Sequence, residues 1–234
     1  ALATAAYNNK RGRAKRTCIV VPSSVLENWY HEARQFYNES YLRKNALFVG
    51  LEPKKDKDGI IQRKPVLDEN GNPKIGRNGE TVMQDIVVFR NSKEDIHDVM
   101  WKIPQSNCSL VVMTKEKFAS IPLRPSTKQQ YTDEMVERSL MSEKLADKIN
   151  AGKRTYSDDK AISNIQAKYS DEGTKKTQEL PYLEDMGFDS IIVDEAHYFK
   201  NSFEAGKDSQ GIAYLPTAPS AQIAVDMAIK SHYI

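Results

Sequence analysis

The sequence predicts an α/β fold built on a central, mostly parallel sheet. Short apolar runs recur at residues 17–21, 46–49, 109–113 and 191–193. These runs are continuous, not alternating, which suits strands buried on both faces. Segments with helical spacing separate them, the alternation expected of β–α–β units. A chain of 234 residues holds one good-sized domain of this class with insertions, or two small ones.

Each element has its own local signal. Residues 1–9 are Ala-rich and predict a helix. Residues 10–16 carry five basic side chains, as an exposed helix-to-strand loop or a phosphate contact would. The strand at 17–21 ends at Pro22-Ser23-Ser24. Ser24 and Glu27 have capping-box spacing, so a helix is expected to start there. Val25, Leu26, Trp29, Ala33, Phe36 and Tyr37 then recur at helical spacing, with Trp29 read as a core anchor.

After the strand at 46–49 the pattern changes. Asn70-Gly71 and Asn78-Gly79 mark tight turns, and predict an antiparallel β-hairpin insert over about 51–84 that runs into 86–89. Asp68, Asn70 and Asn72 have the spacing of a calcium loop, but Pro73 and Gly79 occupy the positions that need Gly and Glu. Ser92 caps a predicted helix through Trp101, with Ile96, Val99, Met100 and Ile103 toward the sheet. The strand at 109–113 leads into Thr114 and a short helix.

Residues 126–180 hold ten Lys/Arg and ten Asp/Glu, so they form no basic patch. Val136, Leu140, Leu145 and Ile149 make one thin apolar stripe. The expectation is a solvated helical insert, with a second helix start at Ser157. Pro181 and Gly187 lead back to the strand at 191–193. Residues 204–220 read as loop and 221–233 as helix.

Composition excludes several classes. The net charge of +2 is the small difference of 34 basic and 32 acidic residues, so any nucleic-acid surface must be local. Cys18 and Cys108 lie beside apolar runs and read as buried, reduced thiols of a cytoplasmic protein, not as a disulfide framework. No apolar stretch is long enough to span a bilayer, so no membrane partner is expected. No signal peptide is visible, and the opening at Ala1 in helix-like composition is read as that of a segment cut from a longer protein.

The chemistry concentrates at residues 190–201, Ser-Ile-Ile-Val-Asp-Glu-Ala-His-Tyr-Phe-Lys-Asn. Asp194 and Glu195 leave the strand at its carboxyl end, where open α/β sheets place their ligands. One carboxylate there can hold Mg²⁺ through its water shell, and the next can orient and deprotonate the water that attacks a γ-phosphate. An acid pair that merely starts a turn is the plain alternative. The tetrapeptide Asp194-Glu195-Ala196-His197 should arise by chance in only about one chain in a thousand of this size.

That tetrapeptide resembles motif II of DEAH-type superfamily-two helicases, and the added Lys200-Asn201 resembles their Swi/Snf-type branch. Residues 19–29, with Pro22, Ser23, Ser24 and Asn28-Trp29, are similar to motif Ia of that branch. Residues 109–118 are similar to motif Ib, with Lys115 where the family usually has Tyr. The resemblance implies the first RecA-like P-loop NTPase lobe, with ATP and Mg²⁺ as cofactors. It gives Asp194 to the metal, Glu195 to the attacking water, and His197 to coupling with a second helicase lobe of the same parent chain. Ser23, Ser24, Asn28, Thr114, Lys115, Lys200 and Asn201 become nucleic-acid-binding candidates, with double-stranded DNA as the partner. Helix capping remains an alternative for Ser23, Ser24 and Thr114.

No Gly-rich loop ending in Gly-Lys-Thr or Gly-Lys-Ser occurs in the sequence, so the chain by itself is expected to be inactive. The other readings are a motor of a restriction or antirestriction system, an RNA helicase, and a nucleic-acid-binding scaffold without ATPase activity.

Overall fold

The structure, a computed structural model, describes residues 1–140, 180–199 and 222–234. They fall into two compact units, residues 1–120 with 186–196, and residues 121–185 with 197–234.

The first unit carries the sheet. Strands β1 (Thr17–Val21), β2 (Ala46–Phe48), β7 (Leu110–Thr114) and β8 (Ser190–Val193) form one four-stranded sheet in the order β2-β7-β1-β8. All pairings are parallel, so the central parallel sheet expected from the sequence is present. Every residue of β1 and β7 is buried, as expected of continuous apolar runs, but β2 and β8, at the two edges of the sheet, are only half-buried, so burial on both faces holds for the inner strands alone. Helices α1 (Leu2–Lys10), α2 (Leu26–Phe36) and α3 (Glu39–Asn45) contribute Leu2, Ala5, Leu26, Tyr30, Ala33 and Leu42 to a core with Ile19, Val21, Leu110 and Val112. Helix α4 (Lys93–Gln105) starts as expected, with the Ser92 hydroxyl accepting the Asp95 N–H at 3.0 Å.

One of the basic residues at 10–16 is structural. The Arg16 guanidinium donates to the carbonyls of Ser106, Cys108 and Met186. The Asp189 carboxylate in turn accepts the Lys15 and Arg16 N–H groups at 2.8 and 2.9 Å.

The capping box at Ser24 does not form. Ser23–Val25 takes a 3-10 turn, α2 begins only at Leu26, and no side chain caps either element. The tighter turn moves the helix start past the serine whose hydroxyl was to cap it.

The expected single hairpin is instead a branched structure. Strands β3 (Leu51–Pro53) and β6 (Val87–Phe89) pair antiparallel as one stem, and β4 (Arg63–Pro65) and β5 (Met83–Asp85) as a second. At the first branch three backbones close a ring: Lys54 N–H to Ile86 O (2.7 Å), Ile86 N–H to Gln62 O (2.9 Å), Gln62 N–H to Lys54 O (2.8 Å). At the second, Val66, Val82 and Lys74 do the same at 2.7 to 2.8 Å. Three short hairpins grow from these rings, bridged at Lys55–Ile61, Leu67–Pro73 and Ile75–Thr81. Each turns on a glycine at φ near +80°, Gly59, Gly71 or Gly79. The N–H of Gly71 donates to Asp68 O at 3.1 Å, a type I turn followed by a left-handed residue. The third turn, at Asp58-Gly59, was readable from the sequence as the same dipeptide signal.

The insert is tied to the sheet unit by Asp85. Its buried carboxylate accepts from Tyr30 Oη (2.9 Å), Arg34 Nε (2.8 Å) and Arg63 Nε (3.1 Å). Burial and the hydrogen bond to Asp85 push the Tyr30 phenol well above its ordinary range, and burial pushes Tyr37 up to about 12.

In the second unit, helix α6 (Pro125–Leu140) and a carboxy-terminal helix (Gln222–Tyr233) are described. His232 Nε2 lies 2.8 Å from Glu134. The Leu183 N–H donates to Pro122 O at 2.8 Å, and Arg124 pairs with Asp185 at 2.6 Å. The insert expected over 126–180 is helical through Leu140, while Leu145, Ile149, the helix start at Ser157 and the loop at 204–220 lie outside the described residues. Among the described residues no helix is long and apolar enough to cross a membrane.

Candidate functional site

Because β1, β7 and β8 run parallel, their carboxyl ends share one edge of the sheet. Cα register pairs Val21 with Thr114 and Val20 with Val193, so the three strands end nearly level. Three groups of candidate residues therefore emerge side by side: Ser23 and Ser24 after β1, Lys115 after β7, and Asp194 and Glu195 after β8.

Asp194 is fixed at two points. Its N–H donates to Val20 O at 2.8 Å, which extends the β1–β8 ladder one residue past the strand. Its Oδ2 accepts the indole N–H of Trp29 at 3.0 Å. Trp29 sits in the first turn of α2, directly after β1, the strand beside β8. Its ring is half-buried against the core cluster. The core-anchor reading of Trp29 from the sequence thus covers only its ring, because its polar edge serves the acid pair. Helical spacing alone held no signal for that second contact.

Glu195 marks the break in the strand. It has φ +53°, the sole positive φ at a non-glycine residue among those described. For an L side chain this costs about 1–2 kcal/mol. Such strain persists only where surrounding structure enforces it, and it clusters at functional sites. The Glu195 side chain is exposed, and a 3-10 turn over Ala196–Phe199 follows with His197 exposed.

Ser23, Ser24 and Asn28 are exposed, and neither serine is engaged in capping. Thr114 is different. It is 5% exposed, and its hydroxyl accepts the Lys117 N–H at 3.4 Å at the start of α5 (Lys115–Ser120). That is the capping role left open by the sequence. Lys115 is half-buried beside Glu116, at 4.0 Å. Lys117 donates to Val49 O (3.1 Å) and Asn91 Oδ1 (2.8 Å), and burial lowers its pKa. Lys200 and Asn201 lie outside the described residues.

The donor set at this edge suits one kind of metal. Among the described residues no group of three or more His, Cys, Asp or Glu side chains could hold an ion alone. Mg²⁺ does not need one, since it binds through one or two carboxylates, water and substrate phosphates. Asp194 offers a hard oxygen of that type, Oδ1, while Oδ2 is taken by Trp29.

The fold and site thus define an α/β protein with a parallel sheet and a paired acid at the carboxyl end of one strand. The chain is 44% identical over all 234 residues to the "Defense against restriction protein B" of Escherichia phage P1. It spans about a tenth, 10%, of that relative's length. No protein-family model matches the chain, and no solved structure matches it.

Proposed function

We propose that the chain is part of the first RecA-like lobe of an ATP-dependent DNA translocase, of DEAH type and Swi/Snf-type branch, acting in defence against restriction. The observation that carries the reading is Asp194-Glu195-Ala196-His197 placed where a parallel strand ends and its backbone breaks. The antirestriction setting rests on the name of the phage P1 relative.

In this reading Asp194 would hold a magnesium ion through the ion's water shell, and the ion would supply neutralisation of charge on the nucleotide phosphates. The Glu195 carboxylate accepts a proton from the attacking water. At Glu195 the backbone enters the left-handed region and leaves the line of the strand. His197, on the 3-10 turn, couples the nucleotide site to a second lobe. Ser23, Ser24 and Asn28, exposed at the turn into α2, contact the phosphate backbone of double-stranded DNA.

The test is DNA-stimulated ATP hydrolysis by the full-length protein that carries this chain. Glu195→Gln should lower turnover about 100-fold or more, the scale of a lost general base. Unchanged turnover removes Glu195 from this role and the motor reading with it.

A further inference from the structure

We infer that Trp29 is a positioning residue for Asp194, which selects the carboxylate oxygen that faces a divalent cation; the inference rests on the motor reading above. The residues are 165 positions apart, yet the indole N–H meets Asp194 Oδ2 at 3.0 Å. A half-buried indole needs an acceptor, but any backbone carbonyl satisfies one. Here the acceptor is an ionisable oxygen at the ligand edge of the sheet, which makes a stronger, charge-assisted bond.

The backbone of Asp194 is already locked by its N–H bond to Val20 O. With Oδ2 also held, the carboxylate cannot turn freely about its side-chain torsions, and Oδ1 is left for a metal's water shell. The arrangement links α2 to the acid pair through a single bond. The same helix follows the turn that presents Ser23 and Ser24. A shift of α2 on its strand would therefore be felt directly at Asp194.

The experiment compares Trp29→Phe, which keeps an aromatic ring and removes the N–H donor, with Asp194→Asn, both in the full-length protein. Mn²⁺ affinity is measured by electron paramagnetic resonance in the presence of ADP, and the Mg²⁺ requirement of ATP hydrolysis is measured alongside. Loss of a partner that orients a metal ligand typically weakens the metal 10- to 100-fold, so Trp29→Phe should shift Mn²⁺ affinity by about that factor. Its turnover should recover at high Mg²⁺, a split that a merely structural defect would not show.

A second measurement leaves Trp29 in place. In protein labelled with 5-fluorotryptophan, Mn²⁺ with ADP should broaden the Trp29 fluorine resonance strongly. Two outcomes overturn the inference: an unchanged Mn²⁺ affinity in folded Trp29→Phe, or a Trp29 resonance that stays sharp at saturating Mn²⁺. If Asp194→Asn also leaves Mn²⁺ affinity and turnover unchanged, the motor reading fails as well. If only Trp29→Phe is silent, the motor reading stands without it.

Discussion

The parallel sheet and the branched insert are held by opposite means. In β1 and β7 every residue is buried, and the strands are fixed by side chains packed from both faces. From Lys54 to Gln84 no residue of the insert is buried, and Ile60, Leu67 and Ile75 are 64%, 57% and 58% exposed. That region is fixed by two closed rings of backbone hydrogen bonds and by three left-handed glycines. The sheet therefore draws on the hydrophobic effect, while the insert draws on turn chemistry and Asp85 at its root. The acid pair follows β8, a half-buried edge strand paired with the fully buried β1, and Asp194 is held there by bonds to Val20 O and Trp29.

The largest effect should come from the sheet. Ile19 is 0% exposed in β1, between Val112 of β7 and Ile192 of β8 in register. Ile19→Ala removes buried methyl groups and leaves a cavity that flanking strands cannot close, a cost of about 4 kcal/mol. Urea unfolding monitored by circular dichroism should show it. A loss below about 1 kcal/mol would mean that the sheet is not the cooperative core of its unit.

That asymmetry also explains what the sequence disclosed. Buried strands announce themselves through runs such as Thr17-Cys18-Ile19-Val20-Val21, because burial on both faces favours apolar side chains at successive positions. Ser92 was legible as a cap because its partner, the Asp95 N–H, lies three residues away. The acid pair was legible because four adjacent residues carry it. The rings of the insert were not, since backbone N–H and C=O groups close them and every residue type but proline has both. Nor was the bond from Trp29 to Asp194, which joins residues 165 positions apart. The capping box at Ser24 failed for a related reason: its spacing was correct, but a 3-10 turn took the serine out of position.

Two glycines place the boundary between the two regimes. Gly50 has φ +81°, and a Cβ there would collide with Lys117 Nζ. Gly50→Ala must displace that ammonium from Val49 O and Asn91 while adding backbone strain, for about 2 kcal/mol of the sheet unit's stability. Gly71 has φ +83° with nothing within 4 Å of its would-be Cβ. Gly71→Ala carries strain alone, about 1 kcal/mol, and it should appear as faster amide exchange at that hairpin with the global transition unmoved. Equal global losses for both variants would show that insert and sheet unfold as one.

The smallest effect should run in the opposite direction. Thr17 opens β1 at 0% exposure, and its hydroxyl has no hydrogen-bond partner. Its backbone N–H is already satisfied by Ser109 O at 2.9 Å, so the side chain is not needed for pairing. A buried hydroxyl without a partner has lost its hydration and gained nothing in return. Thr17→Val keeps the β-branched shape and replaces that oxygen with a methyl group. The hydroxyl is an exception to the sheet's reliance on apolar side chains, and its removal should raise stability by about 1 kcal/mol in urea unfolding. A destabilised Thr17→Val would show that the strand entrance is held by a polar contact, as the insert is, and not by burial.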